Sequence, residues 1–443
     1  MTMRRRDLML GSLGAGLALA AGVGRADAQE ANSVLELTPA GGTVDQTASL
    51  QDAIDRAAKS GEALTLPPGI FGTGPLTLRS GLTMRGVPGR TILRLATGDA
   101  LLRAEGTDSI TLSGLTLDGD AKPLGENGAL LSAMNAVRLD ISDCRVLNSS
   151  ENGVVLRGVS GRIANCEIGE IAKAGLFSND AKGLEIASNH VRDCGDNGIQ
   201  VWRSQTGEDG TLVTGNRIER IKAKSGGSGQ NGNGINIFRA GAVIVANNRI
   251  SDCAFSAIRD NTGRNCQITG NNCSRLGETA IFVEFSFDGA VVANNVIDTA
   301  AIGISVTNFN DGGHLAVVQG NLVRNIFFRK DGDSKGIGIA VEADCAVTGN
   351  VVEKVAGFGI SIGWYKYLRD ITATGNLVRD SHIGIAVSVD GEAGYALITD
   401  NMISGAKNGA IRAMNGPKPI GPDLASSGAE AFRNLAIYSN VGI

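Results

Sequence analysis

Three charged residues near the middle of this 443-residue chain have side chains that could carry catalysis: Arg259, Asp260 and Glu284. Two carboxylates that face one sugar can act as the catalytic pair of a glycosidase, depending on their separation. The three residues form the best local set of charged side chains that the sequence offers. A solvated charged face without a catalytic role is the alternative that the residue types leave open.

Aromatic and polar residues lie close to this set in the sequence pattern, although only 4 % of the chain is aromatic. Sugar rings stack on aromatic side chains and form hydrogen bonds with asparagine and arginine, so these residues suit a glycan groove. Shielding of a sheet face is the alternative explanation. The candidate substrate-binding residues are Trp202, Arg203, Asn236, Phe238, Arg239 and Phe282.

A repeated phrase around an asparagine must position these residues. Examples are Val213–Ile218, Val347–Val352 and Ala373–Val378, and each copy is accompanied by a phrase of the form Gly-Ile-x-Val, such as Gly198–Val201. Hydrophobic residues alternate around the anchor, which indicates strands and not helices. The anchor position holds, in order, Leu115, Cys144, Cys166, Asn189, Asn216, Asn248, Asn271, Asn295, Asn321, Asn350, Asn376, Asn401 and Asn440.

Short strands of this kind cannot bury an apolar face alone, but stacked coils about 4.8 Å apart give each backbone group a partner. The spacing predicts an all-β solenoid of about 12–13 coils, with three parallel strands in each coil. Stacked asparagine amides would bond to the turns and to one another. Alternation along the Gly-Ile-x-Val strands then predicts which side chains share the outer face.

The remaining segments read as an export signal and two end structures. Residues 1–28 contain Arg4–Met9, an apolar stretch and Ala26–Ala28, which predicts a twin-arginine signal peptide, export of a bacterial protein to the periplasm or beyond, and the export machinery as a partner. Residues 29–80 form an entry segment with a capping helix, residues 81–415 the repeats, and residues 416–443 a loop and closing strand. No later stretch is long and apolar enough for a membrane span.

The asparagine ladder, the Gly-Ile-x-Val strands and the lead-in Asp45–Ile54 with Leu66–Gly69 resemble the pectate-lyase-like superfamily of single-stranded right-handed parallel β-helices. With the twin-arginine signal, the whole chain resembles a family of twin-arginine-translocated repeat proteins of uncharacterised function. The resemblance implies a groove along the Gly-Ile-x-Val sheet. A lyase of this fold would use an arginine or lysine base and carboxylates that hold calcium, whereas the clustered Asp motifs of its glycosidases and the Arg-x-Pro motif of pectate lyases are missing from this sequence.

Composition narrows the partners further. Five of the seven cysteines fall on inward positions of the repeat, where cysteine acts as a small hydrophobe. Cys144 and Cys166 instead stack in the ladder on adjacent coils, where a disulfide is the alternative to core packing, although folding in the reducing cytoplasm disfavours it. No Cys-x-x-Cys or histidine cluster indicates a transition-metal site. A net charge of −4 gives no support for nucleic-acid binding. No cofactor is evident, with calcium possible for a lyase. Two hypotheses follow: a polysaccharide-binding protein that acts as a lyase, hydrolase or epimerase if it is catalytic at all, or a non-catalytic structural or protein-binding scaffold.

Overall fold

The computed structural model describes residues 37–329 and 336–443, so the predicted signal peptide lies outside the described residues. Each coil contributes one strand to each of three parallel sheets, and the strands of one coil pair with the equivalent strands of the next coil. Short strands are stable here because the neighbouring coils satisfy their backbone groups on both sides. The predicted all-β parallel solenoid is confirmed, with about 14 turns.

We name the three sheets by their place in the repeat. The Gly-Ile sheet contains Leu76–Thr77, Leu102–Glu105, Ala129–Met134, Asn152–Arg157, Ala174–Asn179, Asn197–Glu208, Asn233–Gly241, Ile258–Asn261, Thr279–Glu284, Ile302–Val306, Ile337–Val341, the second halves of Val351–Ile362 and Leu377–Ser388, and Ile411–Asn415. An antiparallel strand, Lys418–Asp423, pairs with the last of these.

The pre-asparagine sheet precedes the anchor in each coil. It contains Leu64–Thr65, Leu82–Arg85, Ser109–Ser113, Arg138–Ser142, Gly161–Ala164, Leu184–Ala187, Leu212–Thr214, Ile244–Ala246, Arg264–Thr269, Asp288–Ala293, His314–Gln319, Cys345–Thr348, Ile371–Thr374, Ala396–Thr399 and Leu435–Tyr438.

The post-asparagine sheet follows the anchor. It contains Gly69–Thr73, Thr91–Leu95, Leu115–Asp118, Arg145–Ser149, Glu167–Ile171, His190–Cys194, Arg217–Ile221, Arg249–Cys253, Asn272–Ser274, Val296–Ala300, Leu322–Ile326, the first halves of Val351–Ile362 and Leu377–Ser388, Met402–Ser404 and Val441–Gly442. Two short 3₁₀ turns lie at Phe309–Asp311 and Ala429–Ala431.

An α-helix, Thr47–Ser60, packs against the first strands and buries Leu50 and Ile54 completely. The helix ends at Gly61, whose φ of 76° is the left-handed conformation that glycine adopts most easily. This helix covers core side chains that an uncapped first coil would expose. The predicted helical cap near the N-terminus is therefore present.

The asparagine ladder runs through the inside of the coil corners. Asn271, for example, is 1 % exposed and donates from Nδ2 to the Val245 carbonyl and to Oδ1 of Asn295, at 3.0 Å each. Its own Oδ1 accepts hydrogen bonds from the backbone nitrogen and Nδ2 of Asn248, again at 3.0 Å. The Asn271 amide thus satisfies a buried carbonyl at the end of a strand and joins its own coil to the coils before and after it.

The space between the sheets is filled by aliphatic side chains, and all seven cysteines are buried there as free thiols. Burial raises the pKa of Cys273 and of Cys194 to about 12, so both are neutral at physiological pH. The predicted role of the cysteines as core hydrophobes is confirmed. Among the described residues, no helix has the length and apolar character that crossing a membrane requires.

Candidate functional site

Two columns of side chains face outward along the Gly-Ile sheet, with one residue of each column on each strand. The first column contains Ser132, Val155, Phe177, Gln200, Asn236, Arg259, Phe282 and Ser305. The second contains Met134, Arg157, Asn179, Trp202, Phe238, Asn261 and Glu284. Trp202, Asn236, Phe238, Arg259, Phe282 and Glu284 therefore share one face, as strand alternation predicted, while their roles stay predictions.

The long insertion Lys222–Gly232 folds back over this face and takes up several of the predicted binding groups; we call it the cover loop. Nδ2 of Asn236 donates to the carbonyls of Gly229 and Gln230 at 3.2 and 3.3 Å, and its Oδ1 accepts a 3.3 Å hydrogen bond from Nε1 of Trp202. Asn236 is therefore 3 % exposed, and its amide holds protein groups instead of facing an open groove.

Arg259 and Glu284 form a two-pronged ion pair beneath the cover loop. Nε and Nη2 of the guanidinium donate to the two carboxylate oxygens at 2.6 and 2.7 Å, and Nη1 donates to the Ser228 carbonyl at 2.7 Å. Both residues are buried, and Phe282 lies under the guanidinium at 4.8 Å from its ring centroid. Asn261 donates to the same carboxylate at 3.0 Å. Each charged group is thus neutralised and bonded in place.

Asp260 points the other way, so the expected grouping of Asp260 with Arg259 and Glu284 requires a correction in geometry. Its strand partners are the core residues Ile237 and Val283, and the side chain is completely buried. The Cys266 thiol and the Gly263 backbone nitrogen face its carboxylate, but neither makes a hydrogen bond of good geometry with it. Burial raises the pKa of Asp260 to about 7. The physical reason is alternation, which sends neighbouring residues of a strand to opposite faces.

We expect Asp260→Asn to stabilise the protein increasingly as the pH rises. The pKa of Asp260 is higher in the folded than in the unfolded protein, so ionisation of this residue opposes folding. The free energy of unfolding is therefore unaffected by Asp260 below about pH 4, and it falls as the pH rises to about 7 and beyond. Asparagine does not ionise, so the free energy of unfolding of the variant should exceed that of the wild-type protein by about 4 kcal/mol at pH 8. Urea unfolding at pH 4 to 8 measures this difference, with the exposed Asp108→Asn as the control. A pH-independent difference would contradict the assignment.

An open cavity lies beside the cover loop, over the strands Asn152–Arg157, Ala174–Asn179 and the start of Asn197–Glu208. Its volume is about 240 Å³. Phe177 and Trp202 contribute half-buried rings that meet edge to face at 5.4 Å. The amide of Gln200 lines the cavity at 8 % exposure and has no hydrogen-bond partner within residues 37–329 and 336–443. This amide reaches the cavity and has no protein partner, so it is available to a polar ligand group.

Two cations at this cavity were missed by the sequence interpretation. Arg157 is exposed, and its guanidinium forms no ion pair with any described residue, whereas Lys173 bonds Glu151 at 2.7 Å. Strand register could have identified Arg157, because this residue pairs with Asn179, which in turn pairs with Trp202. It was overlooked because its own strand lacks the Gly-Ile-x-Val phrase.

The other predicted arginines are tied to the backbone. Arg203 donates to the carbonyls of Gln205 and Ala181 at 3.3 and 3.5 Å. Arg239 is exposed, donates to the Ser204 carbonyl at 3.2 Å and lies over the ring of Phe238 at 4.6 Å. Phe238 in turn contacts Trp202 at 5.5 Å between ring centroids, so the aromatic strip continues past the cavity.

Calcium has no prepared site in this arrangement. Within the part of the chain that the structure describes, no group of three or more histidine, cysteine, aspartate or glutamate side chains is arranged so that it could hold a metal ion. Both oxygens of Glu284 already accept hydrogen bonds from Arg259, and Glu278 approaches the same guanidinium at 3.8 Å from another side. The arginine therefore separates the two carboxylates that would have to share a cation.

Comparison with known proteins agrees with the architecture. The family described as "Right handed beta helix region" matches residues 127–222 and 204–378, which together exceed half of the chain. The pre-mature form of bacteriophage phi29 gene product 12 is 17 % identical at a TM-score of 0.54, covering 86 % of this chain and 54 % of that one. The N-terminal fragment of that phage protein is 15 % identical at 0.52, covering 91 % and 69 %.

The A-module of the mannuronan C-5 epimerase AlgE6 from Azotobacter vinelandii is 15 % identical, with a TM-score of 0.45 and coverage of 91 % of this chain and 96 % of that one. The two phage structures, with TM-scores above 0.5, show a shared fold and nothing about the site.

Proposed function

Since this chain belongs to the family of right-handed β-helix regions, we propose that it binds a polysaccharide or oligosaccharide on the outer face of its Gly-Ile sheet. The observation that carries the proposal is the cavity formed by Phe177, Gln200 and Trp202. It combines two aromatic rings with an amide that faces the cavity without a protein partner, and these groups suit a sugar ring and its hydroxyls.

The ion pair between Arg259 and Glu284 supports a binding function better than a catalytic one. Arg259 and Glu284 neutralise each other at 2.6 and 2.7 Å under the cover loop. A base or nucleophile must reach its substrate within hydrogen-bond distance, and these side chains are covered by protein. A lyase, hydrolase or epimerase reaction at this pair would require the cover loop to leave and the ion pair to open. The favoured function is therefore a carbohydrate-binding module on a solenoid.

Location is a separate part of the proposal. The twin-arginine pattern at Arg4–Met9 supports export to the periplasm or the exterior, where polysaccharides are accessible ligands. The balanced net charge of −4 fits a ligand recognised by stacking and hydrogen bonds more than by long-range attraction.

We expect Trp202→Ala to reduce glycan affinity by about 30-fold, because a ring that stacks on the ligand is a hot spot worth about 2 kcal/mol. A glycan array identifies a ligand of the wild-type protein, and calorimetry then compares the two proteins. Tyr395→Ala is the matched control, since Tyr395 is 68 % exposed in the loop before the strand Ala396–Thr399 of the pre-asparagine sheet. Unchanged affinity in Trp202→Ala would exclude the cavity as the binding site. Failure of the wild-type protein to bind any glycan would favour the scaffold hypothesis.

A further inference from the structure

The cover loop is a fixed wall at one end of the cavity. The carboxylate of Asp196 accepts hydrogen bonds from the backbone nitrogen and Oγ of Ser225 at 2.8 and 2.7 Å. Nδ2 of Asn197 donates to the Gln230 carbonyl at 2.9 Å, and Arg259 holds Ser228. These anchors are buried side chains on the strands Asn197–Glu208 and Ile258–Asn261 and in the bend just before the first of them, so the loop is part of the folded structure.

This wall interrupts the first outward column of the Gly-Ile sheet. Phe177 and Gln200 are accessible from the cavity, but the next two members, Asn236 and Arg259, lie beneath the loop. Successive strands are about 4.8 Å apart, so a ligand on Gln200 meets the wall one coil further on. A polymer that runs along the axis over this column therefore has to end at the wall.

The wall also carries a free polar group of its own. Gln230 is exposed and lines the cavity, and its side-chain amide bonds to none of the described residues. The last sugar of a chain has a hydroxyl that internal sugars use in a glycosidic bond. An amide at the closed end is placed to bond that hydroxyl.

We propose that the cavity recognises the terminus of a glycan chain, with the last sugar on Gln200 and Trp202 and its terminal hydroxyl towards Gln230. This inference rests on the proposed carbohydrate-binding function. The cavity volume of about 240 Å³ lies below the range of about 300–1,000 Å³ that is usual for sites of drug-sized ligands, which favours one or two sugar rings over an extended segment. The rest of the chain would leave towards Arg157 and the earlier coils.

The test compares two preparations of each of four polysaccharides, dextran, xylan, mannan and polygalacturonate. One preparation is intact, and the other is cut by partial acid hydrolysis, so that equal masses differ in the number of chain ends. We expect the wild-type protein to bind the hydrolysed form of its ligand more tightly per unit mass, in proportion to the ends. Gln230→Ala should lose about tenfold in affinity for the hydrolysed form. Gln205→Ala, another exposed glutamine, is the control and should not differ from wild type.

The outcomes separate the two proposals. The wild-type protein could bind intact and hydrolysed chains equally per unit mass, while Trp202→Ala binds neither. That result would overturn terminus recognition and leave carbohydrate binding in place. Preference for ends that persists unchanged in Gln230→Ala would overturn the assigned role of Gln230 and of the closed end. No binding of any preparation would overturn terminus recognition together with the proposed function.

Discussion

Replacing Arg259 with alanine is expected to lower the free energy of unfolding by about 3–5 kcal/mol. The substitution leaves the carboxylate of Glu284 buried without its guanidinium and removes the hydrogen bond that holds Ser228 of the cover loop. A buried charge that loses its partner cannot regain its water while the loop stays in place. Denaturant unfolding followed by circular dichroism measures the change.

Two further variants distinguish an ion pair that stabilises the fold from charges kept for chemistry. The double variant Arg259→Met with Glu284→Met removes both charges at once and should lose less stability than Arg259→Ala alone. Arg162→Ala breaks an exposed pair with Glu185 at 3.0 Å and should cost no more than about 1 kcal/mol. A loss in Arg259→Ala no larger than that in Arg162→Ala would show that the pair is solvated and that the loop does not bury it.

Replacing Asn271 with alanine should cost about 3 kcal/mol or more, because one buried amide serves three neighbouring coils. The backbone nitrogen and Nδ2 of Asn248 lose their acceptor, and the Val245 carbonyl loses its donor. Each polar group left unpaired inside the protein costs about 1–3 kcal/mol. Urea titration of the variant gives this loss as a shift of the unfolding midpoint.

The end of the same ladder supplies the control. Asn440 accepts hydrogen bonds from the backbone nitrogen and Nδ2 of Asn401 at 3.1 and 2.9 Å, but it is only half-buried. Water can replace much of what Asn440→Ala removes, so this variant should lose about 1 kcal/mol. Similar losses for the two asparagines would mean that burial of the ladder does not determine its contribution.

The repeat made the fold readable from the sequence because its signal is local and recurs. The anchor asparagines mark the coil corners, and strand alternation then places residues such as Gln200 and Trp202 on one face without any knowledge of distant contacts. The same alternation sends Asp260 inward, in phase with Ile237 and Val283. Its adjacency to Arg259 in the sequence was therefore a misleading guide to adjacency in space.

The cover loop is what sequence patterns could not supply. Nothing in the polar stretch Lys222–Gly232 indicates that its carbonyls bind Asn236 and Arg259, since those contacts depend on the path of an irregular backbone. The candidates on the outer face were correctly grouped, but whether each faces a ligand or a loop is a tertiary property. Gln200 and Arg157 line the cavity beside the loop and remain accessible from it.

The asparagine ladder gives the chain a ruler. Positions along the axis are counted in coils of about 4.8 Å, whatever number of residues each coil contains. The interval from Asn216 to Asn248 is longer than that from Asn248 to Asn271, yet both asparagine pairs form the same 3.0 Å hydrogen bond. Extra residues therefore extend outward from the coil, as in the cover loop, and leave the spacing of the coils along the axis unchanged. Evolution can therefore change the surface beside Trp202 by lengthening one coil, while the positions of all other coils along the axis stay the same.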